Sequence, residues 1–317
     1  MKIALITPAR PATRSGNRNT AVRWAQLLRG LGHDVEVQMN WNGTPADLMI
    51  ALHARRSYDS IVRFAAAYPS RPLIVALTGT DLYRDIRFDA NAKRSMRLAT
   101  RMIVLQAMGP AVLAPVLRGK TRVIYQSTRP IKRVQPLKSC FEVCISGHLR
   151  EEKDPFRLAA ALQYLPPQSC IRVTHLGAAM SPEMAAAARD WMEREPRYQW
   201  LGELPHWRAL RRLARARAMV ISSRMEGGAN VVTEALAAGV PVVASHIPGN
   251  VGMLGADYAG YYPLGDERAL ARLLWRAESD REFFRKLKRL CAARRHLIGR
   301  AREKDALRRL LQELPAC

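Results

Sequence analysis

The sequence predicts an α/β protein of two domains, each a parallel sheet with helices on both faces. Three observations carry this. Short aliphatic and β-branched runs alternate with helix-length segments along the whole chain. Most of these runs are apolar throughout, as in strands covered on both sides. At 317 residues the chain is long enough for two separate cores.

In order, 3–7 (IALIT) reads as a buried strand, followed by the loop PARPATRSGNRNT and a helix over about 21–30. Gly30 and Gly32 stop that helix, and 33–39 (HDVEVQM) is the next strand. Strands at 46–52, 72–77, 101–105 and 123–125 continue the series, with helices near 57–67, 92–100 and 109–117. The stretch 126–139 (QSTRPIKRVQPLKS) has two prolines and no periodicity, which marks a domain boundary. A second series follows: strands at 141–146, 171–176, 198–201, 218–222 and 240–245, and helices near 155–163, 182–195 and 207–216. An Arg-rich helical tail occupies 268–311. The expected domains are 1–135 and 139–295, with 296–317 a C-terminal helix that can pack back on the first.

Composition narrows the function. No apolar run is long enough to span a bilayer, and MKIALITPAR has too short an apolar core for a signal peptide, so cytoplasmic residence is expected. Five cysteines (Cys140, Cys144, Cys170, Cys291 and Cys317) without CxxC spacing are expected to be free or buried thiols, not a metal or redox site. The net charge is +24; residues 1–138 hold 23 Lys and Arg against 7 Asp and Glu, a balance of +16, and the rest of the chain carries +8. Such a field favours anionic ligands: phosphate-bearing small molecules, a membrane surface or nucleic acid. Aromatics are only 7% and no recognition motif interleaves with the basic residues, which argues against nucleic acid. A basic surface that follows from an Arg-rich composition is the bland alternative.

The most informative stretch is 222–249, SSRMEGGANVVTEALAAGVPVVASHIPG. It follows a strand, turns on Gly227 and Gly228, opens a helix near Asn230 and leads into another strand. Glycines let a backbone approach a ligand closely, and a helix start presents unpaired N–H groups, so Gly227, Gly228, Ala229, Asn230 and Val231 suit a phosphate or diphosphate. Glu226 and Glu234, eight positions apart, bracket the turn. A carboxylate repels phosphate but accepts hydrogen bonds from sugar hydroxyls. Taken singly, each is a surface acid. A second constellation, 146–155 (SGHLREEKDP), also follows a strand and brings His148, Arg150 and Lys153 to a strand-to-helix turn.

Together, the Glu226-x7-Glu234 spacing within EGGANVVTEALAAGVPVVAS, the preceding GHLREEK and the GH of the first half resemble the retaining GT-B glycosyltransferases, the family that includes sucrose synthases and bacterial lipopolysaccharide transferases. The resemblance implies two Rossmann-like domains facing each other across a cleft. It implies that Glu226 contacts the donor sugar, that Glu234 holds the ribose, and that 227–231 line the phosphates with Lys153. By the same resemblance, Gly202, Glu203 and Leu204 read the base, usually uracil. Two positions depart from the family: His148 stands where an arginine is usual, so Arg150 or a protonated His148 would have to supply that charge, and Thr78 stands where a histidine is usual.

TPARPATRSGNRNTAVRWAQLL, LHARRS and LTGTDLYRD, with the two motifs above, look like the selenosugar synthases of selenoneine biosynthesis. This implies transfer of N-acetylglucosamine or glucose from a UDP-sugar to selenophosphate, with no metal or other cofactor. Selenium in selenophosphate is already anionic, so the acceptor site needs positive charge more than a base. Arg14 and Arg18 around Ser15, Gly16, Asn17 and Asn19, Arg55 with Arg56, and Thr78, Thr80, Asp81 and Tyr83 are the candidates on that side. For the residues of the 78–83 stretch, a helix-capping turn is an equal reading. A cell-envelope or lipid-linked sugar acceptor is the alternative, in which case the basic first half would face an anionic membrane.

Overall fold

A computed structural model describes residues 1–11 and 15–315. The chain forms two compact units, one comprising Met1–Ser127, Glu226–Ala229 and Gly299–Cys317, the other Thr128–Met225 and Asn230–Ile298.

The first unit holds β1 (Lys2–Ile6), β2 (Asp34–Gln38), β3 (Leu48–Leu52), β4 (Leu73–Leu77), β5 (Arg101–Val104) and β6 (Thr121–Val123). They pair in parallel in the order β2-β1-β3-β4-β5-β6. β3 (LMIAL) and β4 (LIVAL) are buried at every position, which explains their unbroken apolar runs. Successive side chains point to opposite faces. Met49, Val75 and Met102 therefore pack with Phe64 on one side, and Leu48, Ile50, Ile74 and Ile103 pack with Trp24 and Leu28 on the other.

The helix Arg300–Gln312 adds Leu307 and Leu310 to the second of these clusters. Its Glu303 is buried there, and the carboxylate accepts from Arg23 Nε at 3.0 Å, Trp24 Nε1 at 2.8 Å and the Ser127 N–H at 2.9 Å. A carboxylate at that depth is tolerable only because its oxygens are so supplied.

The second unit holds β7 (Phe141–Ser146), β8 (Ile171–Leu176), β9 (Tyr198–Trp200), β10 (Ala218–Ile221), β11 (Val242–Ser245) and β12 (Tyr261–Tyr262). All pair in parallel, in the order β12-β11-β10-β7-β8-β9. Its sheet carries a buried acid of its own, Glu142 on β7, which accepts from Arg215 Nε at 2.7 Å and Thr174 Oγ1 at 3.1 Å. Two parallel six-stranded sheets with helices are the α/β class expected from sequence.

Several elements differ from the sequence reading. The helix expected over 109–117 is two turns, Gly109–Val112 and Pro115–Arg118, because Pro115 forces Ala114 out of the helical region. β6 lies two residues earlier than expected. The tail is four pieces, Glu267–Ser279, Arg281–Ala293, Arg295–Ile298 and Arg300–Gln312; the Asp280 carboxylate starts the second by accepting the N–H groups of Glu282 and Phe283. The two-residue β12, the helix Pro248–Leu254 and a turn of π-helix at Asp81–Asp85 were not expected. Among the described residues no helix is long and apolar enough to cross a membrane.

Candidate functional site

Open parallel sheets bind ligands beyond the carboxyl ends of their strands, where the strand order reverses direction. In the second unit this point lies between β7 and β10. The loops that leave those two strands, 147–155 and 222–229, lie within the two stretches singled out by sequence, 146–155 and 222–249. A small recess, open to solvent, lies there, lined among others by Ser146, Gly147, Lys153, His175, Ser222 and Val231.

The walls of this recess are tied together by bonds to backbone carbonyls. Ser222 Oγ donates to the carbonyls of Lys153 (3.0 Å) and Asp154 (2.9 Å), and the Arg224 N–H donates to the carbonyl of Glu152 (2.9 Å). Asp154 has φ 44°, which ends the short 3-10 turn Glu151–Lys153, and Arg157 pairs with its carboxylate at 2.9 Å. Leu149 runs beside Ala178, its N–H bonded to that carbonyl at 2.9 Å. In the same strip the Ala178 N–H donates to His148 Nδ1 at 3.1 Å. Nδ1 is thus the acceptor of that bond, which leaves Nε2 as the ring's donor. Arg150 is exposed.

Behind the loop, His175 at the end of β8 is bonded through Nδ1 to the Tyr198 hydroxyl (2.8 Å) and through Nε2 to the Gly147 carbonyl (3.3 Å). Burial pushes its pKa down to about 4, so it stays a neutral prop. Gly202, Glu203 and Leu204 follow β9, two strands from β7, where the Gly202 carbonyl accepts from Gly177.

The helix Asn230–Ala238 begins with Asn230 and Val231 and carries Glu234 in its second turn. The Glu234 side chain is 15% exposed, and its Oε1 lies 3.0 Å from His206 Nε2. Glu226–Ala229 belong to the first unit. There a Cβ on Gly227 would lie 2.2 Å from the Thr78 carbonyl oxygen, and one on Gly228 would lie 2.4 Å from Leu105 Cβ. Real Cβ atoms never come that close, so protein neighbours alone require both glycines. Glu226 is buried, and its charge joins burial in holding the Tyr83 phenol up at about 12, against the hydrogen bond from Gln106. Burial is the larger influence.

In the first unit the order reverses between β1 and β3. Ser15, Gly16, Asn17, Arg18 and Asn19 follow β1; Ser15 caps the helix Gly16–Arg29 by accepting the Arg18 N–H at 3.3 Å. Arg14 lies outside the described residues. Arg55 follows β3, and its Nε is bonded to Asp85 at 2.9 Å. Thr78 and Asp81 follow β4. Asp81 has no exposed surface: Oδ1 accepts the N–H groups of Thr78, Gly79 and Leu82 at 2.8–3.1 Å, and Oδ2 that of Ala54 at 3.0 Å. It shapes the turn and has no face to offer a ligand. Sequence reasoning passed over His53, which is buried beside Thr80, Asp81 and Asp85. A lone histidine closing an apolar strand was its only signal. Among the described residues no His, Cys, Asp and Glu group has the makings of a metal site.

No curated protein matches the chain in sequence. Among solved structures, Anabaena HepE in complex with UDP and glucose is similar at 18% identity, over 99% of this chain and 100% of that one, with a TM-score of 0.79. Sucrose-phosphate synthase from Thermosynechococcus elongatus is similar at 17% identity, over 99% and 98%, with a TM-score of 0.79. The lipopolysaccharide outer core galactosyltransferase WaaB, in its apo form, is similar at 12% identity, over 98% and 99%, with a TM-score of 0.70. At such identities the likeness establishes the fold, two Rossmann-like domains of GT-B type. The model of the family "glycosyl transferases group 1" matches residues 129–295, more than half of the chain and all of the strands β7–β12. The chain belongs to the group 1 glycosyltransferases.

Proposed function

We propose that this glycosyltransferase moves N-acetylglucosamine or glucose from a UDP-sugar to selenophosphate. The anomeric carbon forms a bond to selenium as its bond to the diphosphate oxygen breaks, and UDP leaves with the electron pair. Hydrolysis of the P–Se bond, which consumes water, then frees phosphate and the selenosugar. The observation that supports the donor half best is the exit of both motif loops from β7 and β10, the strands that flank the order reversal. The relatives HepE bound to UDP and to UDP-glucose make a uridine nucleotide the first donor to test.

In this reading Glu234 accepts from the ribose hydroxyls and Glu226 from the sugar. The N–H groups at the start of the helix Asn230–Ala238 and the Gly227–Ala229 backbone face the diphosphate, and Gly202–Leu204 meet the uracil. Fixed charge on the leaving group comes from Lys153 and Arg150, while His148 supplies a donor through Nε2. On the acceptor side Arg18, Arg55 and the Ser15–Asn19 turn attract the anion, with Thr78 beside them and Asp81 as the builder of the turn. The basic balance of the first 138 residues supports an anionic acceptor over a neutral sugar.

Incubation with UDP-N-acetylglucosamine or UDP-glucose, with and without selenophosphate, tests this by mass spectrometry. UDP release that depends on selenophosphate, with a selenium-bearing sugar product, is expected. Release that instead requires an envelope saccharide would replace the acceptor and keep the donor.

A further inference from the structure

Beyond the residues already named, the first unit carries a polar pair with a defined direction. His53 follows β3 at φ 74°, a conformation that non-glycine residues avoid, and is 2% exposed. Such strain gathers at ligand sites when the surroundings enforce it. Here the His53 N–H is bonded to the Ala76 carbonyl at 2.8 Å, and the Ser57 N–H to the His53 carbonyl at 3.1 Å. The Arg56 N–H points at Nδ1 from 3.3 Å, so that nitrogen has no proton. The ring proton sits on Nε2, 3.0 Å from Thr80 Oγ1. Burial lowers the pKa of His53 against the nearby Asp81, which keeps the ring neutral.

A hydroxyl that accepts from an imidazole must turn its own proton elsewhere. Thr80 is partly exposed and lies in the turn after β4, beyond the carboxyl edge of the sheet. Its neighbours are committed: Asp81 to four backbone N–H groups, and Asp85 to Arg55 and Arg84. We propose that the Thr80 hydroxyl donates to an oxygen of the anionic acceptor, and that His53 is a positioning residue that fixes the direction of that bond. The proposal rests on the acceptor reading given above.

Kinetics of three variants test it. Thr80→Val keeps the shape and removes the hydroxyl; the KM for selenophosphate should rise about tenfold, as for a lost hydrogen bond to a charged group, with UDP affinity unchanged. His53→Asn tolerates the left-handed backbone but is too short to reach Thr80, and should give the same rise. The double variant should be no worse than either single one, and His53→Gln, with an amide nitrogen near the position of Nε2, should recover part of the loss. An unchanged KM in Thr80→Val overturns the proposal. Additive effects, or a parallel loss of UDP affinity in His53→Asn, overturn the positioning role. If the enzyme does not turn over selenophosphate, thiophosphate binding followed by phosphorus NMR separates the two readings. Binding that Thr80→Val weakens about tenfold keeps this inference and removes only the acceptor assignment. Equal binding by both proteins overturns the inference, and no binding to the unmodified enzyme overturns both.

Discussion

The second unit's point of strand reversal and the turn that joins the loops after β3 and β4 in the first unit are built differently. At β7 and β10 the loops are short and stitched by bonds to backbone carbonyls, the Ser222 hydroxyl reaching those of Lys153 and Asp154 and the Arg224 N–H that of Glu152. The polar equipment there comes as runs of consecutive residues, His148 to Lys153 and Asn230 to Glu234. The turn built around β3 and β4 of the first unit is assembled from residues 27 to 30 positions apart: His53 with Thr80, the Ala54 N–H with Asp81, and Arg55 with Asp85. Each has a buried neutral histidine nearby, but His175 sits on its strand whereas His53 sits in a strained turn. A site made of consecutive residues is a motif, and a site made of distant ones is a consequence of the sheet order.

That contrast can be broken by substitution. The largest effect on stability is expected from Asp81→Ala, which leaves four buried N–H groups without an acceptor and should cost about 3 kcal/mol or more in denaturant unfolding. A smaller cost would mean that the turn after β4 rearranges easily.

The second unit is expected to weaken in acid. His175 is neutral when folded, with a pKa near 4, and has the ordinary value of 6.5 when unfolded, so the unfolded chain binds more protons between those values. Its contribution is complete above about pH 6.5 and fades as pH falls toward 4, by at most about 3 kcal/mol. Unfolding midpoints at pH 7 and 4.5 should differ less in His175→Gln than in the parent; His53 acts in the same direction in the first unit.

Gly227→Ala places a Cβ against the Thr78 carbonyl and is expected to cost about 2 kcal/mol through the shift it forces. Full tolerance would show that this loop is not held against the turn after β4. The smallest effect is expected from Arg18→Ala, which should raise the KM for the anionic acceptor about tenfold and leave UDP binding intact. An unaffected KM would move the acceptor away from the turn after β1.

Much of the fold was legible because strands such as LMIAL and LIVAL are buried on both faces and read as unbroken apolar runs. The elements that escaped were those without a period: the two-residue β12, the π-turn at Asp81–Asp85 and the split at Pro115. At the site, EGGANVVTE and GHLREEK stood out in sequence as strand-to-helix turns, and the roles expected of them came from the family resemblance. The bond to His148 Nδ1 was not legible, since it comes from the N–H of Ala178 on a neighbouring strand's loop. The full burial of Asp81 was hidden for the same reason, and His53 carried no local pattern.

The account depends most on the assignment of Glu234, which the structure places on the helix that leaves the second reversal point, 3.0 Å from His206. Titration calorimetry of UDP against the enzyme and its Glu234→Ala variant tests it directly. Loss of two hydrogen bonds to a carboxylate should weaken UDP about 100-fold. An unchanged dissociation constant would show that the ribose is held elsewhere and contradict the donor site described for this chain.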